Sequence, residues 1–542
     1  MGRGLVLVLA LALVAAPVAV GAAADPAGRS DGPHLVAAYP NPVSAGDAGE
    51  FVTLAVPPDT PLGEFRIADG ESSVALPNVT AAGRVVLSTA PERTRPLVDD
   101  RVRPLGDIEL ANTGESLRLV RDGETVDALS YEDAPEGSLR VPGSGDGWRP
   151  LGATDRPVVT GGPGTVRAFV LPDGGDVAVD HLRRADDRIL LGAYTLTSER
   201  VADALVAAHR RDVSVRVLVD GSPVGGFPRR EARLLDRLER AGIDVRAVGG
   251  PSARYAFHHA KYAVADDRAL VTTENWKPAG VGGASSRGWG VVTDQPRVVD
   301  GLVATFRADA GWRDAVPWDR FHADRSFVET NVSTGSYPTR FPPESVPVDR
   351  TRLLVAPDNA ESAVVGVVDN ATETLVVEQV SVGGRTSPFL QAALDAAERG
   401  VGVRILLSSA WYVREDNERL VTWLNDRAAS RNLPLEARMA APRGRFEKIH
   451  TKGVVVDGDQ VVLGSLNWNN HSARENREVA VVLDGEAVGT YFGRVFDADW
   501  QTRAPTPVGL LLVVAVAAVG ALLLARRLRF ERGSGGIQPP DD

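Results

Sequence analysis

Apolar and polar positions change rhythm three times along this chain, and each rhythm predicts a different kind of element. Over residues 33–133, short apolar runs such as Glu50–Val56, Arg84–Ser88, Ser116–Val120 and Thr125–Leu129 alternate with Pro, Gly, Asp and Asn. Strands at this spacing, broken by turn residues, predict an all-β sandwich. A Gly- and Pro-rich linker is expected over 134–164. From residue 165 the rhythm becomes strand, helix, strand, and it runs twice. Ile189–Leu191, Ser198–Arg211 and Val213–Val219 correspond to Leu375–Glu378, Pro388–Arg399 and Val401–Leu407. A second amphipathic helix follows in each copy, around Arg230–Ala241 and Glu418–Arg431. This alternation predicts a parallel-rich α/β sheet covered on both faces. The copies span 165–312 and 351–502, with a Pro-rich connector at 313–350. Each is long enough for a core of its own.

The third rhythm is unbroken apolarity, found at the two ends. Residues 1–24 read as a signal peptide, with Arg3, an apolar run from Leu5 to Ala16 and the small stretch Ala22-Ala23-Ala24. Residues 507–525 have the length and apolarity of a bilayer-spanning helix. Arg526, Arg527, Arg529 and Arg532 follow, so the positive-inside rule puts the tail 526–542 in the cytoplasm. The expectation is a single-pass cell-membrane protein with an extracellular body.

Composition narrows the chemistry. The 542 residues carry a net charge of −11, which argues against a surface built to track nucleic acid, although a local basic groove stays open. There is no cysteine, so disulfides, thiolate metal sites and thiol catalysis are excluded. Of 60 cationic residues only four are lysines: Lys261, Lys277, Lys448 and Lys452.

Two of those lysines belong to a repeated phrase. His259-Ala260-Lys261 is followed after four residues by Asp266, and His450-Thr451-Lys452 after four residues by Asp457. On an extended chain, residues two apart share a face, so each phrase aims an imidazole and an ammonium into one space. Asn275-Trp276 and Asn467-Trp468 follow, the second within Gly464-Ser465-Leu466-Asn467. Trp276 and Trp468 read as core, Asp266 and Asp457 as structural groups at strand ends.

The duplicated His-x-Lys-x4-Asp phrase, with Gly464-Ser465-Leu466-Asn467, resembles the phospholipase D superfamily over residues 165–502. The resemblance implies one active site built from both copies. One histidine attacks phosphorus to give a phosphohistidine while the other protonates the leaving oxygen. No metal or other cofactor is implied, and no dimer is required. The site residues carried over are His259, Lys261, Asp266 and Asn275 with His450, Lys452, Asp457, Ser465, Asn467 and Glu478. Glu478, 28 residues after His450, stands where the family has an acid that orients a histidine. Copy one has Gly288 at that place and Thr272-Thr273-Glu274-Asn275 where copy two has Gly464-Ser465-Leu466-Asn467. The expected assignment is therefore His450 as nucleophile, oriented by Glu478, and His259 as acid.

Near the N-terminus, Ala38-Tyr39-Pro40-Asn41-Pro42, Gly49-Glu50-Phe51-Val52 and Leu110-Ala111-Asn112-Thr113-Gly114-Glu115-Ser116-Leu117 resemble the lamin-tail domain, an immunoglobulin-like β-sandwich. Taken together, the expected fold is that sandwich, a duplicated phospholipase D-like α/β unit and one C-terminal transmembrane helix. The first functional expectation is a nuclease-like phosphodiesterase at the outer cell surface, because Arg254, Arg443, Arg445 and Lys448 crowd the histidines as a cationic mouth. The alternatives are a phospholipase D or cardiolipin-synthase-like phosphatidyl transferase, and a non-catalytic surface binding protein.

Overall fold

The computed structural model describes residues 32–42, 48–143, 147–250, 253–323 and 325–501. The N-terminal region folds as two sheets. One contains His34–Tyr39, Phe51–Pro61, Thr80–Ser88 and Arg101–Pro104; the other contains Ser73–Ala75, Phe65–Ala68, Gly114–Arg121 and Glu124–Glu132. Alternate residues of both, among them Leu35, Leu54, Ile67, Leu87 and Leu117, form one buried core. The stretch 134–164 is less of a linker than its Gly and Pro content suggests. Ser138–Arg140 and Trp148–Pro150 extend the first N-terminal sheet, and Val159–Gly161 pairs with Thr351–Leu353 of the second copy.

The two copies repeat one strand order. In copy one it runs Asp244–Val248, Ser214–Asp220, Arg188–Ala193, Tyr262–Ala265, Arg268–Thr272, Ser286–Thr293, Gly164–Leu171. In copy two it runs Leu435–Met439, Gly402–Leu407, Thr374–Gln379, Lys452–Val456, Gln460–Gly464, Glu478–Asp484, Arg350–Ala356. Only the three strands joined through helices are parallel in each sheet; the other pairs in this order are antiparallel. The expected parallel-rich sheet is thus a mixed one. A helix crossover makes strands parallel, whereas the tight turns at Asp266 and Asp457 can only make hairpins.

Helices Glu199–His209 and Arg229–Arg240 cover the outer face of the first sheet, and Pro388–Glu398 and Arg414–Arg431 that of the second. The inner faces share a single core with helices Pro296–Ala310 and Glu486–Trp500, so the copies bury each other rather than standing apart. One part of the expected fold is corrected: the described residues supply no membrane-crossing helix. Among the described residues no helix is long and apolar enough to cross a membrane. The expected span 507–525, its tail 526–542 and the expected signal peptide 1–24 lie outside the described residues.

Candidate active site

Each phrase histidine is held by the opposite copy. The His259 amide donates to the carbonyl of Arg477 at 2.9 Å, and the His450 amide to the carbonyl of Arg287 at 2.9 Å. Both arginines are buried ion-pair hubs. Arg287 pairs with Asp173 and Asp499; Arg477 pairs with Asp358 and Asp309. The phrases therefore meet in one site, across the shared core.

Glu478 shows the consequence. His259 Nδ1 donates to its two carboxylate oxygens at 2.8 and 2.9 Å. The expected pairing of Glu478 with His450 is corrected: the acid lies on the strand that carries Arg477, and that strand braces His259. Burial works against ionisation of Glu478, but His259 and Lys261 outweigh it and hold the carboxyl below its usual value. Burial also pulls the His259 ring down to about 4, against the attraction of Glu478, which leaves a neutral imidazole with a free Nε2 lone pair. The Tyr194 ring packs edge-on against it at 4.6 Å.

His450 has different neighbours. Its Nδ1 lies 3.2 Å from the Thr273 carbonyl, 3.3 Å from Glu274 Oε2 and 3.4 Å from Lys452 Nζ. Burial, with Lys452 and Lys261, pulls this ring well below the usual histidine value. Lys261 and Lys452 each donate back to the carbonyl of their own histidine, at 2.5 and 2.8 Å. Burial lowers both ammonium groups, Lys452 to about 8.

The remaining expected residues divide. Asn275 Oδ1 is buried without a hydrogen-bond partner, and Asn467 Nδ2 reaches Ser472 Oγ at 3.5 Å. The Ser465 hydroxyl accepts from the Val479 amide at 3.0 Å, just as Thr273 accepts from the Trp289 amide at 3.0 Å, so both hydroxyls lock neighbouring strands. Asp266 and Asp457 point to the far ends of their strands. Asp266 accepts from the amides of Asp186, Asp187 and Arg188, and Asp457 from those of Thr372, Glu373 and Thr374. Burial opposes their ionisation slightly, yet these amides hold both carboxyls below the usual aspartate value.

Asp457→Ala is therefore expected to cost about 1–2 kcal/mol of stability while kcat of the folded enzyme stays at the parent level. Because the folded carboxyl is depressed, this stabilisation is full above about pH 4 and is lost as pH falls through the lower folded value. Urea unfolding at pH 7 and pH 3, beside kcat at pH 7, checks both halves.

The cationic mouth is smaller than expected. Arg254 is turned into ion pairs with Asp314 and Asp309, and Arg445 into one with Asp499. What stands at the rim instead is aromatic: Trp411 is 87% exposed and Tyr412 43%. Tyr412 lies under Lys448 Nζ at 5.4 Å. Sequence reasoning met Glu274 only as part of the copy-one departure and gave it no role. Its signal was a glutamate at the position where copy two has the buried Leu466.

A family model described as "Cardiolipin synthase, PLD-like domain" matches residues 178–310 and again 364–500. This chain belongs to the phospholipase D superfamily. Among curated proteins it is 26% identical over 353 residues to the "Probable cardiolipin synthase YwiE" of Bacillus subtilis, covering 60% of this chain and 64% of that protein. It is 32% identical over 116 residues to cardiolipin synthase A of Cronobacter sakazakii, covering 21% of this chain and 22% of that protein. The chain thus spans less than two thirds of either relative. The solved phosphatidylserine synthase of Haemophilus influenzae is similar at a TM-score of 0.48 and 13% identity, covering 68% of this chain and 97% of that one. The family match begins after the N-terminal sheets, so the lamin-tail resemblance stays an expectation.

Proposed function

We propose that this protein is a phosphatidyl transferase working through a phosphohistidine. The observation that carries the reading is the cross-braced pair of His-Lys half-sites, each held by the other copy's buried arginine. His259 Nε2 forms the N–P bond as the bond from phosphorus to the first alcohol oxygen breaks, and that oxygen takes a proton from His450. A second alcohol then attacks phosphorus and gives its proton to His450, and the N–P bond breaks. Lys261 and Lys452 offset charge on the phosphoryl oxygens. The roles of the histidines are thus exchanged relative to the sequence expectation, because the ionised Glu478 favours positive charge on His259 as it becomes phosphorylated.

Three observations support a lipid rather than a nucleic acid. The relatives are named cardiolipin synthases. Arg254 and Arg445 are occupied by internal carboxylates. An exposed Trp411 beside Tyr412 and Lys448 suits the boundary between lipid chains and headgroups, where amphipathic rings partition.

Vesicles containing phosphatidylglycerol, offered beside single- and double-stranded DNA in EDTA, test the reading. The expected result is cardiolipin and free glycerol by mass spectrometry, with DNA intact. Cleaved DNA with unchanged lipid would replace this reading by the nuclease one. Turnover of neither, together with vesicle binding, would favour the non-catalytic alternative. Trp411→Ser is expected to weaken vesicle binding several-fold in a sedimentation assay.

A further inference from the structure

Copy one lacks an acid on the strand that braces His450, and the structure shows what fills the place. The two bracing strands share one register: Gly288 pairs with Leu171 as Glu478 pairs with Ala356. Gly288 follows Arg287, whose carbonyl holds the His450 amide, as Glu478 follows Arg477, whose carbonyl holds that of His259. Gly288 is therefore the position from which an acid would serve His450.

A Cβ built on Gly288 would meet three atoms first, all of one side chain: Cγ of Glu274 at 2.3 Å, Oε1 at 2.8 Å and Cδ at 3.0 Å. Glu274 enters this space from the opposite hairpin strand's end, at the position where copy two has Leu466. The two copies have exchanged the identities of a strand position and a loop position. Copy two pairs Glu478 with Leu466, and copy one pairs Gly288 with Glu274. Glu274 is 2% exposed, its Oε2 lies 3.3 Å from His450 Nδ1, and its Oε1 has no hydrogen-bond partner.

We propose that Glu274 is the positioning residue of His450, a relocated carboxyl that restores the second histidine–acid pair and stores the proton that His450 exchanges with substrate. The proposal rests on the reading that His450 serves phosphodiester exchange. His450 Nδ1 faces a partner for each tautomer: the Glu274 carboxyl can donate to its lone pair, and the Thr273 carbonyl at 3.2 Å can accept from its N–H. When Nε2 gives its proton to the leaving oxygen, the Glu274 proton moves to Nδ1 and the ring stays neutral. When the second alcohol gives its proton to Nε2, the Nδ1 proton returns to Glu274. No atom or charge is left over. His259, whose Nδ1 meets both oxygens of the ionised Glu478, is held in one tautomer.

The surroundings suit a carboxyl that rests protonated. Burial pushes Glu274 up to about 8 although Lys452, Lys448, Lys261 and Lys277 all pull it down. Those are the four lysines of the whole chain. Tyr412 also faces the carboxyl from the mouth, its hydroxyl pushed up to about 12 by burial and by Glu274.

The test uses the soluble diester bis(p-nitrophenyl) phosphate, so that it does not depend on the lipid reading. Glu274→Ala is expected to lower kcat by about 10²-fold or more, with KM changed little. The double variant Glu274→Ala, Gly288→Glu is expected to recover at least about tenfold of that loss, since removing Cγ clears the space for an acid on the bracing strand. Glu274→Gln keeps the shape without the proton, and is expected to lower kcat by about 10²-fold as Glu274→Ala does. Thermal unfolding reports whether each variant is folded. Parent-like kcat in Glu274→Gln would overturn the proposal, as would a folded double variant no faster than the single one. If the parent cleaves no diester, the reading of the site fails, and ¹⁵N NMR titration of the His450 ring still decides the pairing. An unshifted His450 titration in Glu274→Gln would then sink it.

Discussion

His259→Ala is expected to remove turnover, with kcat for a soluble diester lower by about 10⁴- to 10⁶-fold, as when a covalent nucleophile is deleted. No neighbouring group can replace it. Lys261 points back to the His259 carbonyl, and His450 is braced from the other copy. His450→Ala should be nearly as slow in steady state but different in kind. With an activated aryl leaving group that needs little protonation, it should still form the N–P bond and accumulate a phosphoenzyme. Labelling with a ³²P diester, quenched in alkaline detergent because an N–P bond is acid-labile, separates the cases: label on His450→Ala and none on His259→Ala. The reverse pattern would exchange the roles again. The parent's pH profile carries a second check. Burial holds His259 down at about 4, so kcat/KM should persist below the usual histidine range and decline only as pH approaches that value.

Arg477→Met is expected to cost about 3–5 kcal/mol of stability, the loss typical of removing one partner from a buried ion network. The Arg477 side chain is 0% exposed and bonds Asp309 at 3.0 Å, Asp358 at 2.7 Å, the Ala356 carbonyl at 3.0 Å and Thr154 Oγ1 at 3.0 Å, with Tyr255 also in contact. Methionine keeps most of the volume but leaves Asp358 without this guanidinium and Asp309 dependent on Arg254 at 4.0 Å. Burial already opposes ionisation of Asp309, which Arg477 and His258 hold down at about 2. In the parent its stabilisation is full above about pH 4 and is lost only as pH falls through about 2. In the variant, the urea midpoint should instead improve as pH falls from 7 to 5, because the carboxyls can then protonate. Arg477→Lys should not restore the parent, since one ammonium cannot make the guanidinium's several fixed bonds. A midpoint unchanged at pH 7 would show that the network carries no stability.

Much of the fold was legible because periodicity is local. The helix expected over Ser198–Arg211 forms at Glu199–His209, and the strand expected over Val401–Leu407 forms at Gly402–Leu407. Strand direction was less legible. Apolar content does not distinguish a strand reached through a helix from one reached through a hairpin, so the alternation predicts a parallel-rich sheet where the structure has a mixed one. The cationic mouth failed for a related reason. Arg254 and Arg445 sit close to the histidines in sequence, but their partners Asp314 and Asp499 are 60 and 54 residues away. A charge count along the chain cannot see a carboxylate brought in by the fold.

The sequence by itself determined the reaction class. Residues two apart on an extended segment share a face, so each His-x-Lys phrase reads as a half-site without coordinates, and the resemblance of the duplicated phrase to the phospholipase D superfamily implies phosphodiester chemistry. Only the tertiary structure decided which acid lies against which histidine. Glu478 lies nearer His450 in the chain but bonds His259, 219 residues away. Glu274, at a position the motif leaves unspecified, faces His450. The reason is the shared core: each phrase histidine lies just ahead of its own sheet's strand and is braced by the other copy's arginine strand. Proximity in sequence therefore assigns the partners backwards, and the packing of the two sheets sets them right.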